Sequence, residues 1–123
     1  MEKLLAIMQE LRQKCPWDQQ QTPESLTRYA IEEAYEVEAA IREGDVEQIR
    51  NELGDLLLQV VFQSQMYTEQ GAFNFHDVVD ASGKKLLRRH PHVFQSGHYQ
   101  NLTPEQVSEL WKQIKQRAKQ GKP

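Results

Sequence analysis

Apolar positions recur at helical spacing through most of this 123-residue chain, and the breaks between them fall at proline, glycine and capping residues. Over 2–14, Leu4, Leu5, Ile7, Met8 and Leu11 keep that spacing until Cys15-Pro16, because proline drives the residue before it out of helical geometry. Thr22-Pro23-Glu24 offers a cap, a first-turn proline and a first-turn acid, which predicts a second helix over 23–43. Gly44 suits the left-handed position that closes it. Asp45 can cap a third helix over 46–70, closed by Gly71, and so short a turn predicts antiparallel packing of the two. Asn74 can cap a fourth helix over 75–89, with Phe73 and Val78 placed for a hydrophobic staple, and Pro91 ends it. Thr103-Pro104-Glu105-Gln106 has the capping-box pattern and opens a fifth helix over 104–119.

The expected fold is therefore all-α, a bundle of about five helices in a single domain over 1–123. Residues 91–102, PHVFQSGHYQNL, are predicted to form a loop long enough to act as a lid or binding segment. One stretch asks for more cover than a single buried stripe gives. Leu56-Leu57-Leu58-Gln59-Val60-Val61-Phe62 is apolar almost all round the helix, so the 46–70 helix is either central or covered by a second copy. A homodimer or homotetramer built through the 23–43 and 46–70 helices is expected.

The formal charge of −3 hides an asymmetry. Residues 1–83 hold 16 Asp/Glu against 6 Lys/Arg, and residues 84–123 hold 2 against 9. An acidic part suited to cations precedes a basic part suited to anions. DNA binding through the basic part is an alternative, but overall acidity disfavours it and no nucleic-acid partner is expected. No segment approaches the roughly 20 apolar residues of a membrane span, and the amphipathic N-terminus is unlike a signal peptide, so a cytoplasmic location without membrane partners is expected. Cys15 is the sole cysteine, which excludes an intrachain disulfide, and no Cys/His cluster has zinc spacing.

Two acidic pairs carry the candidate chemistry. Glu33 and Glu36, with Glu32 beside them, lie on the 23–43 helix. Glu33 borders the apolar stripe of Leu26, Ala30, Ala34, Val37 and Ile41. Glu52 and Asp55, three residues apart, share a face of the 46–70 helix near Ile49, Leu53 and Leu56. Four carboxylates brought together repel one another unless a hard divalent cation neutralises them, and oxygen-only ligands favour Mg²⁺ or Mn²⁺ over zinc. Solvated helix faces carry similar patterns without any metal. A di-iron site would need Glu-x-x-His motifs, and His76, His90, His92 and His98 all lie outside these two helices.

Glu32-Glu33-Ala34-Tyr35-Glu36 followed by Glu52-Leu53-Gly54-Asp55-Leu56-Leu57 resembles the EExxE…ExxD signature of the MazG-type nucleoside triphosphate pyrophosphohydrolases, all-α enzymes. Cys15-Pro16-Trp17-Asp18 with Gln21-Thr22, and Arg88-Arg89-His90-Pro91-His92-Val93-Phe94, are also similar to MazG segments. The ordered agreement covers about residues 4–118.

The resemblance implies Mg²⁺-dependent hydrolysis of a nucleoside or deoxynucleoside triphosphate between the α and β phosphates, giving the monophosphate and pyrophosphate, in nucleotide-pool housekeeping. It implies that Glu33, Glu36, Glu52 and Asp55 hold Mg²⁺, with Mn²⁺ a possible substitute, and that Glu32 positions or deprotonates water. Lys85, Arg89 and Lys115 stand at positions similar to the family's triphosphate contacts, with Arg88 a further candidate. Lys85 and Arg89 share a helical face, as do Trp111 and Lys115. Trp17 sits at an offset from Glu33 similar to that of a base-stacking tryptophan in related pyrophosphatases. Where some relatives place extra lysines near the carboxylates, this chain has Tyr29 and Gln48. A catalytically silent nucleotide-binding module and a phosphoribosyl-ATP pyrophosphohydrolase are the alternatives.

Overall fold

The computed structural model describes residues 1–94 and 101–119. These residues form α1 (Glu2–Lys14), α2 (Pro16–Gln20), α3 (Thr27–Glu43), α4 (Val46–Glu69), α5 (Phe75–Arg89), α6 (Pro91–Phe94) and α7 (Pro104–Lys119), with no strand among them. None of the described helices is long and apolar enough to cross a membrane. The all-α expectation is met, and the five expected helices are joined by two short ones.

Local chemistry accounts for most of the boundaries. Cys15 is extended, with φ −96° and ψ 118°, as a residue before proline should be, and Pro16 opens α2 at once. Gly44 closes α3 in the left-handed region at φ 81°. Asp45 caps α4 by accepting from the Glu47 and Gln48 amides at 3.1 and 3.4 Å. Thr103 and Gln106 form the expected reciprocal capping box of α7, at 2.9 and 3.2 Å.

Three boundaries differ from expectation. The second long helix starts at Thr27 rather than residue 23, because Thr22 and Ser25 cap each other and close a turn over 23–26 instead. The segment after Cys15 coils into α2, and the start of the expected 91–102 loop coils into α6, with Pro91 buried as its first residue. Residues 95–100 of that loop lie outside the described residues. Phe73, expected to staple α5, stacks on Tyr67 with ring centroids 4.9 Å apart.

The chain divides into two compact units, Met1–His76 and Asp77–Pro123. In the first, α3 and α4 form an antiparallel hairpin across the Gly44-Asp45 turn, and α1 packs along α4. Met8, Leu26, Val61, Phe62, Met66 and Phe75 make its core, with Leu4, Leu5, Tyr29 and Leu58 against it. The core takes the C-terminal half of α4. Leu53, Leu57 and Val60 remain 48, 37 and 40 % exposed, so the all-round apolar stretch is covered on one side only. In the second unit, the His90 ring lies edge-on to Trp111 at 5.0 Å and 5.4 Å from the His92 ring, and its Nδ1 is 2.7 Å from the Leu86 carbonyl.

Candidate metal centre and nucleoside groove

The antiparallel hairpin sets the middle of α3 beside the first half of α4, which carries Glu33 toward Glu52 and Asp55. One carboxylate oxygen from each of these three lies within 4.8 Å of the others. Glu33 and Glu52 are half-buried and Asp55 is exposed. Among the described residues, no lysine, arginine or histidine forms an ion pair with any of the three. The carboxyl of Glu33 is accordingly held above the ordinary glutamate range, first by burial and then by the charges of Asp55, Glu52, Glu36 and Glu32.

Glu36 and Glu32 are exposed on α3 and lie outside the group of three, though their charges still reach Glu33. The structure thus gathers three of the four expected metal ligands. A cluster of oxygens only, without a cationic side chain to neutralise it, fits a hard divalent ion such as Mg²⁺ or Mn²⁺.

One helical turn before Glu33, about 6 Å along α3, Tyr29 faces a groove of about 410 Å³ lined by Trp17, Gln21 and Arg28 among others. Trp17 is half exposed and meets the Tyr29 ring edge-on at 6.0 Å. The Arg28 guanidinium lies 4.9 Å from the Tyr29 ring centroid and donates to the Tyr29 hydroxyl at 3.0 Å. Aromatic faces with a guanidinium beside them suit a flat, partly polar ring.

The basic candidates lie in the second unit. Lys85, Arg88 and Lys115 are exposed, whereas Arg89 and Trp111 are half-buried, and the Arg89 Nε and Trp111 Nε1 atoms are buried without a hydrogen-bond partner among the described residues. The sequence pattern did not single out Arg12 or Arg28, and it marked Tyr29 only as standing where some relatives have a lysine. Arg12 carries no sequence signal because two of its acceptors are main-chain carbonyls; Tyr29 and Arg28 had one, since they stand four residues before Glu33 and Glu32.

The helical hairpin thus defines an all-α domain whose three gathered carboxylates, without an ion-pair partner among the described residues, fit a divalent cation. The model of the MazG nucleotide pyrophosphohydrolase domain matches residues 21–94, and the chain belongs to that family. It is 48 % identical over 118 residues to a nucleoside triphosphate pyrophosphohydrolase of Escherichia coli, covering 94 % of this chain and 44 % of that protein. It is 45 % identical over 120 residues to the nucleoside triphosphate pyrophosphohydrolase/pyrophosphatase MazG of Thermotoga maritima, covering 96 % and 45 %. The chain therefore spans less than half the length of these relatives. The crystal structure of a mazG-related protein from Thermotoga maritima shares the fold, with a TM-score of 0.76 at 23 % identity over 94 % of this chain and 99 % of that one.

Proposed function

We propose that this chain hydrolyses a nucleoside or deoxynucleoside triphosphate between its α and β phosphates, with Mg²⁺ as cofactor, releasing the monophosphate and pyrophosphate. The observation that carries this reading is the convergence of Glu33, Glu52 and Asp55 without a cationic partner, inside the segment that matches the family. The family match runs from the first compact unit into the second, which supports reading 1–123 as one functional domain.

In this reading Glu33, Glu52 and Asp55 hold the metal, and Glu36, one turn beyond Glu33 on α3, completes the set when the metal draws the carboxylates in. Bound Mg²⁺ would offset the charge of the phosphates and lower the pKa of water at neutral pH. Glu32 is exposed and free to turn toward that water, orienting it or taking its proton. Lys85, Arg88, Arg89 and Lys115 contact phosphate oxygens, and the donors of Arg89 and Trp111 that lack a partner among the described residues gain acceptors when an anion binds. Trp17 stacks on the base in the groove it shares with Tyr29.

The exposed apolar residues of α3 and α4 support assembly of two or four copies through these helices. Ile31 and Tyr35 on α3, and Leu53, Leu57 and Val60 on α4, recur at helical spacing and are between 37 and 68 % exposed.

The deciding experiment incubates the protein with eight standard ribo- and deoxyribonucleoside triphosphates, in Mg²⁺ and in EDTA, and measures monophosphate and pyrophosphate. Metal-dependent release of both in equal amounts is the expected result. Tight binding without turnover of any of them would identify a silent nucleotide-binding module instead.

A further inference from the structure

The helix that carries Trp17 sends no side chain into the buried core, and its aromatic contact is the edge-on one with Tyr29. α2 is five residues long and none of its side chains is buried, so the burial that fixes the other helices of the first unit does not fix this one. Trp17 itself is 50 % exposed.

The anchor is polar and comes from Arg12 on α1. The Arg12 Nη1 donates to the Asp18 carbonyl at 2.7 Å, which also accepts from the Gln21 amide at 3.3 Å, and to the Gln21 carbonyl at 3.2 Å, so one guanidinium nitrogen holds both carbonyls at the end of α2. The same guanidinium makes a two-pronged pair with Glu69 near the end of α4, through Nε at 2.9 Å and Nη2 at 2.6 Å. Its side chain is 15 % exposed and lies 6.0 Å from the centroid of the Phe62 ring in the core. Gln21 continues the chain of contacts: its Nε2 donates to the Trp17 carbonyl at 3.0 Å, and its Oε1 accepts from the Ser25 hydroxyl at 2.7 Å.

We propose that Arg12 is a positioning residue for the nucleoside groove: by tying the Asp18 and Gln21 carbonyls to Glu69, it sets where α2 holds Trp17 opposite Tyr29. Arg12 lines no part of the groove and acts on the ligand only through α2. The proposal rests on the reading of Trp17 as the base contact. It adds the device that orders Trp17, and it places the selectivity of the groove under the control of an ion pair, Arg12 with Glu69, that lines no part of it. A planar fork meets the two carbonyls and the Glu69 carboxylate at once, which a lysine ammonium can do only in part.

The test measures equilibrium binding of ATP, GTP, CTP and UTP, and separately of inorganic tripolyphosphate, in Ca²⁺ in place of Mg²⁺. The proteins are the full chain and its Arg12→Gln, Arg12→Lys, Glu69→Gln and Trp17→Ala variants, with circular dichroism confirming helicity. The expected result is that the best-bound nucleotide loses about tenfold in affinity with Arg12→Gln and Trp17→Ala, and less with Arg12→Lys and Glu69→Gln, while tripolyphosphate binding stays within twofold of the parent. Amide exchange over residues 17–21 should accelerate in the Arg12 and Glu69 variants, because the anchor of α2 is weakened.

Loss of nucleotide affinity in Trp17→Ala but not in a folded Arg12→Gln, with unchanged exchange over 17–21, would overturn the clamp and leave the base contact standing. Unchanged affinity in Trp17→Ala would overturn the base contact and this proposal with it. Parallel losses for tripolyphosphate would show general damage to the site and also overturn the positioning role.

Discussion

Glu33 is subject to opposing demands. Burial and four neighbouring acids disfavour its charged form, whereas the metal-holding role proposed for it needs the charged form. Between the ordinary glutamate pKa of the unfolded chain and the raised value in the fold, the folded protein holds more of this proton, so stability falls as pH rises through that window. Glu69 works in the opposite sense. The hydrogen bonds from Arg12 hold its carboxyl below the ordinary range, so its contribution is present above the unfolded pKa and is lost as pH falls through the folded one. Only the difference between parent and Glu33→Gln isolates Glu33. In EDTA, the urea midpoint of Glu33→Gln relative to the parent should rise as pH increases from the ordinary glutamate pKa through the raised one. A flat difference would show that Glu33 titrates normally. A second residue-scale expectation concerns Glu36, which resemblance groups with Glu33 and the structure leaves outside the cluster. Glu36→Gln removes a charge at nearly constant shape and should abolish Mg²⁺-dependent turnover with helicity intact; near-normal turnover would confine the metal to Glu33, Glu52 and Asp55.

At the scale of elements, the boundaries set by a single local interaction were legible in the sequence. Gly44 and Asp45 define the α3–α4 turn, and Thr103 and Gln106 open α7, because each acts on main-chain groups within a few residues. Asp45→Ala should therefore cost about 1 kcal/mol and lower the melting temperature by roughly 4 °C, measured by circular dichroism. An unchanged melting temperature would mean that water serves the α4 amides as well as Asp45 does. The start of α3 was misplaced because Thr22-Pro23-Glu24 fits the capping pattern, yet Ser25 competes for Thr22 and closes a separate turn. α2 was illegible for a different reason: five residues show no periodicity, and their support comes from Arg12 and, through it, Glu69, 57 positions away from Arg12. The acidic site follows the same division. The placement of Glu33, Glu52 and Asp55 at the edges of facing stripes was readable, whereas the distance of Glu36 depends on how the hairpin packs.

For the whole molecule, the apolar residues left uncovered on α3 and α4 predict association. Sedimentation at micromolar concentration should give a dimer or tetramer, and Leu57→Asp, which places a charge in the exposed row between Leu53 and Val60, should shift it toward monomer. A monomeric parent with full turnover would show that these side chains face only water. The two tryptophans offer a separate handle. Trp17 belongs to the first compact unit and Trp111 to the second. Replacing either indole by phenylalanine leaves a protein whose emission follows one half alone. Emission curves that coincide for the two variants would show one cooperative transition, and curves that separate would show that each unit melts by itself. The chain then carries its own pair of reporters for cooperativity, and superimposable curves would license a single unfolding free energy for it.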